Sequence, residues 1–271
     1  MRNLTIYCTT IKYYKVLDNL PSYIKPLGLG KNIYPNYWLD EKKEINISSL
    51  NSFYAEFTGI YWIWKNKIKS MSQNDLIGNC HNRVLWLNKL YYNKQKLNFS
   101  SLYSNLLREN NNLLNEYEVI QVQPITFKNK SLLMDFRQVH KVSALDDCLS
   151  FLDADLKKDF LNHLNGHKLF PHNMFITSVK FFEEYCKIIF PWLEKCMAYC
   201  NEKKICFGYN SRMPAFLAER FTSFWFSSFE RRSLLSYARL GKFHLSNQIN
   251  NYVNTIKLPF TFVQYPSIHN F

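Results

Sequence analysis

The sequence predicts an α/β fold, a mixed sheet flanked by helices. Two observations carry this: short runs rich in β-formers recur along the chain, and longer segments with apolar residues at helical spacing separate them. Strands alternating with helices bury a sheet between helical layers. Composition agrees, since 47% of the 271 residues are hydrophobic while glycine and proline are sparse, at 7 and 9. That excludes collagen-like and disordered classes. No repeat at a solenoid period is visible.

In chain order, "LTIYCTT" (4–10) opens as a strand ending in small hydroxyl residues. "YIKPLGLGKNIYPNYW" reads as loop, punctuated by Pro and Gly. Phe53, Phe57, Ile60, Trp64 and Ile68 then fall at helical spacing, with Ser48 or Ser49 to cap the start. In "DLIGNCHNRVLW", Leu76 and Ile77 read as a short buried strand that Gly78 breaks. "NEYEVIQVQP" supplies another strand, ending at Pro124. A helix is predicted from Ser143 through "SALDDCLSFLDADLKKDFLNHL", with Ser143 and Asp146 spaced like a capping box. "NMFITSVKFFEEYCKIIFPWLEKCMAYC" reads as a short strand feeding a long helix interrupted at Pro191. From Thr222 the character changes. Arg231, Arg232, Arg239 and Lys242 face one acid, Glu230, among interleaved aromatics. We divide the chain into a body over 1–221 and a helical, basic, aromatic extension over 222–271.

The net charge of +13 suggests an anionic partner: nucleic acid, an anionic membrane surface or a phosphorylated small molecule. The bland alternative is an AT-rich genome enriching Lys, Asn, Tyr, Ile and Phe. Seven cysteines form no CxxC pair, and Cys196 and Cys200 lie one helical turn apart, poor geometry for a zinc knuckle. They read as reduced, mostly buried cytosolic thiols. The N-terminal apolar run is too short for a signal peptide, and no window reaches the ~18 apolar residues that span a bilayer. The expected location is the cytoplasm, in solution or peripheral to a membrane.

Five stretches could carry chemistry, "HNMFI" (172–176) among them. Asp153 and Asp155 form an Asp-x-Asp, whose hard oxygens suit Mg²⁺ or Mn²⁺. Here they sit in a helical pattern and would point to different faces, so a solvated helix is the better reading. "FYAEFTGIYWIWKN" holds Glu56 and Thr58 inside an otherwise apolar helix, where a buried carboxylate needs partners. Lys65 and Asn66 at its far end either cap the helix or face a ligand. In "GNCHNR", adjacency argues against a Cys80–His81 catalytic pair, and no second cluster supports zinc. His81 and Arg83, two apart on an extended segment, share a face suited to a diphosphate, unless Arg83 merely makes surface ion pairs. Glu219 and Arg220 read as a structural ion pair or as a base beside a phosphate ligand.

"NIS", Asn51, "YAEFTGIYWIWKN", "IGNCHNR", "NMFI" and "FLAER" occur in the order and at roughly the spacing of a known family. Over about residues 4 to 225 the chain resembles the small bacterial glycosyltransferases of capsule and O-antigen gene clusters grouped as a domain of unknown function. That family includes galactofuranosyltransferases. The resemblance implies a GT-A-type, Rossmann-like fold with a nucleotide-sugar donor, and the first strand's Thr9 and Thr10 edging the nucleotide pocket. Within the matched motifs Thr58, Asn173 and Met174 also join the donor site. Three positions depart from the pattern: Asn82 and Val84 replace a tyrosine and a second arginine, and Ile11 stands where a histidine is usual.

The expected reaction moves a hexose, galactofuranose-type or other, from a nucleoside-diphosphate donor (a UDP-sugar) to a hydroxyl of a glycan or lipid-linked glycan acceptor. A leaving diphosphate must have its charge stabilised. Arg83, Lys65 and Arg220 are the candidate cations, with His81 assisting. Glu219 is the first candidate for the base and Glu56 the second. Direct displacement would invert the anomeric centre. No cofactor or metal is expected, and the tail would dock on the anionic inner membrane surface. The competing reading is a basic nucleic-acid-binding or membrane-surface module without catalysis, although no nucleic-acid motif is present.

Overall fold

The computed structural model describes residues 2–88 and 104–229, with strand segments at 97–98, 232–235, 237–240 and 261–264. The sheet is built on β1 (Leu4–Thr10), which is buried along nearly its whole length. A strand apolar on both faces belongs in the middle of a parallel sheet. β1 pairs in parallel with β2 (Ile24–Gly28) on one side and with β4 (Leu76–His81) on the other, and β2 pairs with the short β3 (Leu39–Asp40). β2 lies within the stretch read as loop: the Pro and Gly punctuation masks a strand there. β4 also hairpins into β5 (Val84–Trp86) through Asn82 and Arg83.

Beyond the two-residue segment β6 (Leu97–Asn98), β7 (Val119–Val122) pairs antiparallel with β10 (Phe175–Ser178), and β10 antiparallel with β4. Between them in sequence, β8 (Ile125–Thr126) and β9 (Lys168–Leu169) form a separate two-stranded ladder. β11 (Arg232–Leu235) joins β7 in parallel, while β12 (Tyr237–Leu240) and β13 (Thr261–Gln264) extend the sheet from β5. The main layer therefore runs β3–β2–β1–β4–β10–β7–β11. This is the mixed α/β sheet expected.

Gly78 does not break its strand. It sits inside β4 opposite Ile176, and a Cβ there would lie 2.7 Å from Ile176 Cγ1. The glycine permits close strand approach rather than a turn.

Side chains alternate across the sheet. Leu4, Ile6 and Cys8 enter one apolar cluster with Leu76, Cys80 and Trp86; Tyr7, Ile77 and Phe175 enter the other, beneath the helices. The second cluster is covered by helices Phe57–Asn66, Val179–Glu202 and Met213–Ser227. The Val179–Glu202 helix runs unbroken through Pro191, and Ser178 caps it by accepting from Phe181 N–H at 3.3 Å. The predicted first helix is instead two, Asn51–Tyr54 and Phe57–Asn66, separated at Ala55 with φ 50°. The predicted helix from Ser143 is also divided. Asp153 caps a new segment, Ala154–Leu164, its carboxylate accepting from Leu156 N–H at 2.9 Å. Ser143 makes no such bond to its helix and instead donates to Asp147.

The described segments of the tail past Phe229 depart from the helical expectation. The Met213–Ser227 helix crosses residues 221 and 222 without interruption, and its Phe221, Phe224 and Phe226 are core. Past Phe229 the described segments are strands, which hold Arg232, Tyr237 and Arg239. Glu230, Arg231 and Lys242 lie outside the described residues.

Candidate active site

The strand order turns back at β1, with β2 to one side and β4 to the other. In open α/β sheets a crevice forms outside the carboxyl ends of the strands at such a switch point. A cleft of about 440 Å³ lies there, within the range of small-molecule sites. One wall comes from the strand ends: Thr9, Thr10 and Ile11 at the end of β1, and His81, Asn82, Arg83 and Val84 at the β4–β5 hairpin. The other comes from the helices and their turns: Asn51, Ser52, Ala55, Glu56, His172, Arg212 and Glu219.

The strand wall is set by register. Thr9 stands opposite His81 in the β1–β4 ladder, and its hydroxyl lies 3.3 Å from His81 Nδ1 and 3.1 Å from the Cys80 carbonyl. His81 Nε2 sits 2.5 Å from the His172 carbonyl, so Nε2 carries the proton and donates. Both ring nitrogens are thereby occupied, and His81 fixes the hairpin against the 172 turn. Thr10 folds back onto its own chain, donating to the Lys12 carbonyl at 2.6 Å. Arg83, exposed at the hairpin tip, has no hydrogen bond or ion pair among the described residues. Cys80 is fully buried beside Cys8, and burial pushes its thiol well up, so it is not a nucleophile. All seven cysteines are free.

The helix wall is held by cross-links. His172 and Asn173 both adopt positive φ, 72° and 53°, a conformation that costs a non-glycine residue energy and is kept where surroundings enforce it. The His172 N–H donates to Glu219 Oε1 at 2.8 Å, and Asn173 Nδ2 donates to Glu56 Oε1 at 2.6 Å. One dipeptide thus fixes both carboxylates. Their second oxygens meet cations: Glu219 Oε2 lies 3.3 Å from Arg220 Nη1, and Glu56 Oε2 3.7 Å from Arg212 Nη2. Asn173 is tied from behind, its carbonyl accepting from Asn79 Nδ2 at 2.7 Å.

The structure brings Thr9, Thr10, His81, Arg83, Glu56 and Glu219 to the cleft, and keeps five other predicted residues off its surface. Lys65 points away, its Nζ 3.4 Å from the Trp64 ring centroid. Arg220 is buried one layer back, in a 2.9 Å ion pair with Asp135. Thr58 is buried beneath the cleft, accepting from Asn51 Nδ2 at 2.9 Å. Met174 packs into the core below the sheet, and Asn173 acts through Glu56. Two cleft residues are absent from the predicted site: Arg212, within "GYNSR", and His172, which opens the "HNMFI" stretch and contributes backbone atoms to Glu219 and His81. Among the described residues, no group of three or more His, Cys, Asp or Glu is placed to hold a metal ion. Asp153 is occupied as a helix cap.

A solved apo structure of the WbbM bifunctional glycosyltransferase is similar over 99% of this chain, with TM-score 0.70 at 16% identity. The match covers 56% of that chain, so this protein spans a little over half its length. The likeness is one of fold. No curated protein matches the chain. The model of the domain of unknown function DUF4422 matches residues 5–231, most of the molecule, and the chain belongs to that family.

Proposed function

We propose that the chain is a glycosyltransferase that moves a sugar from a nucleoside-diphosphate donor, with UDP the expected nucleotide, to a hydroxyl of a surface glycan or lipid-linked glycan. The carrying observation is the pairing within one cleft: two fixed carboxylates face a strand-end wall that presents an arginine unpaired among the described residues. Departure of a diphosphate leaves negative charge that a preorganised cation stabilises, and Arg83 is the strand-wall cation free to do so. Activation of the acceptor hydroxyl needs a base within hydrogen-bond reach. Glu219, with a quarter of its side chain exposed, takes that role, and Glu56, at 16%, is the second choice. Attack opposite the leaving group inverts the anomeric centre. The family membership and the glycosyltransferase fold support this reading.

Metal independence is part of the proposal, with Arg83 supplying the charge that a divalent ion would otherwise supply. Docking on an anionic inner membrane surface rests on the tail's basic residues and not on Phe224 and Phe226, which are core. Among the described residues no helix is long and apolar enough to cross a membrane.

The test is a thermal-shift panel of nucleoside diphosphates and their sugars in EDTA. A ligand at 100 times its dissociation constant adds ~2.7 kcal/mol of stability. The expected result is a shift with one nucleotide that Arg83→Ala abolishes while the unliganded Tm stays unchanged. No shift with any nucleotide removes the reading, and a shift that appears only with Mn²⁺ assigns the diphosphate to a metal.

A further inference from the structure

The turn Gly208–Arg212 does more than bring Arg212 to the cleft. It holds two aromatic side chains in solvent, Phe207 at 75% exposure and Tyr209 at 67%. Scattered exposed apolar residues need no explanation, but Tyr209 is not scattered. Its ring stacks on Phe216 (centroids 5.5 Å apart, planes 21°) and on His140 (5.6 Å, 28°). The turn beneath it is pinned from both sides. His140 Nδ1 lies 2.9 Å from Asn210 Oδ1, and Asn210 Nδ2 donates to the His140 carbonyl at 2.9 Å. Gly208 supplies the positive φ of 56° that the turn requires. The phenol hydroxyl has no partner among the described residues. A rigid ring with a polar tip has been built and left uncovered.

Its position says what it faces. Arg212, Phe216 and Glu219 are spaced i, i+4, i+7, so they lie along one face at the start of the Met213–Ser227 helix. Phe216, on which Tyr209 stacks, is about 4.5 Å along the axis from Glu219. The turn also packs on the Asn51–Tyr54 helix, whose Asn51 and Ser52 line the cleft. The platform thus adjoins the carboxylate wall through Phe216 and the Asn51–Tyr54 helix.

We propose that Tyr209 is an acceptor platform, on which a sugar ring of the acceptor glycan lays its C–H face while its hydroxyl is directed toward Glu219. This rests on the transferase reading of the cleft. An aromatic ring offers a large apolar contact with one polar handle, which matches a sugar's C–H face and rim of hydroxyls. A ring held before the ligand arrives saves the cost of ordering it.

The experiment is saturation-transfer difference NMR with the methyl glycosides of galactopyranose, galactofuranose, glucose, N-acetylglucosamine and mannose. At least one should receive saturation at its ring C–H protons. Tyr209→Ala should cut that signal about fivefold, with Tm and the nucleoside-diphosphate shift unchanged. Tyr209→Phe, which keeps the ring, should retain it. A wild-type signal that Tyr209→Ala leaves intact overturns the proposal. So does the absence of any glycoside signal while the nucleotide shift persists, an outcome that leaves the transferase reading standing; loss of both removes the reading beneath it. If Tyr209→Ala instead shifts the protein's elution volume to that of a smaller species, the ring is a contact between copies and the platform is discarded.

Discussion

The two walls of the cleft are built by different physics. On the strand side, Thr9, His81 and Arg83 take their places from the parallel β1–β4 ladder and a two-residue hairpin, with no positive φ at any of the three. On the helix side, the two carboxylates are held by three devices, one of them shared. These are the φ 50° at Ala55 just before Glu56, the His172–Asn173 pair, and the buried Arg220–Asp135 bridge behind Glu219. Backbone pairing places atoms cheaply but leaves its exposed side chains free. Cross-linking immobilises side chains at the expense of local strain and buried charge. An anion that arrives with its own charge suits a free arginine, whereas a base must be aimed before its substrate arrives.

Three substitutions probe this contrast. The largest effect is expected from Arg220→Ala. It strands Asp135 in a site where both side chains are under a tenth exposed, and breaking a buried pair costs ~3–5 kcal/mol. Lys130, 2.8 Å from the other Asp135 oxygen, keeps the loss toward the lower figure. For a domain this size that lowers Tm by roughly 6–12 °C. Nucleoside-diphosphate binding at low temperature should survive, because the strand wall does not depend on the bridge. Loss of binding at a temperature where the variant is folded would show that the walls are one unit.

Next comes Glu219→Gln, which keeps size and the acceptor for the His172 N–H but removes the base. Turnover should drop ~10²-fold or more at unchanged donor affinity. If Glu56→Gln behaves this way and Glu219→Gln does not, the carboxylates exchange roles.

The smallest effect lies under the strand wall. Glu41 is fully buried, its Oε1 accepts from the Gly30 N–H at 2.6 Å, and its Oε2 has no hydrogen-bond partner among the described residues. Burial raises its pKa above the ordinary 4.5, outweighing the Gly30 hydrogen bond that lowers it. A raised folded-state pKa gives stability that is complete below the unfolded value and is lost as pH rises through the folded one. Glu41→Gln, which keeps the Gly30 bond without the charge, should therefore raise Tm slightly at pH 7.5. The gain should vanish near pH 4.5, and a pH-independent difference would mean that packing and not ionisation is responsible.

The same contrast explains what the sequence discloses. The strand wall was legible because an apolar run such as "LTIYC" declares a buried strand and its end declares the site. The helix wall was legible only in part. Glu56 and Glu219 stand out as carboxylates among apolar residues, but nothing local tells a base from its support. Lys65 and Arg220 have the charge for a phosphate and face elsewhere, because helix rotation about a core is decided by packing partners such as Phe190 and Asp135, far away in sequence. Gly78 misleads for the same reason: its demand comes from Ile176 across the sheet. Arg212 could have been suspected from its place just before the Pro214 that opens a helix, although a position gives no facing.

The His172–Asn173 dipeptide has a mechanical consequence. Because one peptide N–H grips Glu219 and the neighbouring amide grips Glu56, the two carboxylates are yoked: whatever tilts that dipeptide moves both together. The β1–β4 ladder grips the same dipeptide at two points: the His81 ring, whose Nε2 proton rests on the His172 carbonyl, and Asn79, whose amide donates to the Asn173 carbonyl. These two side chains of one strand tie the strand wall to the yoke, so a displacement of β4 would be passed to both carboxylates at once.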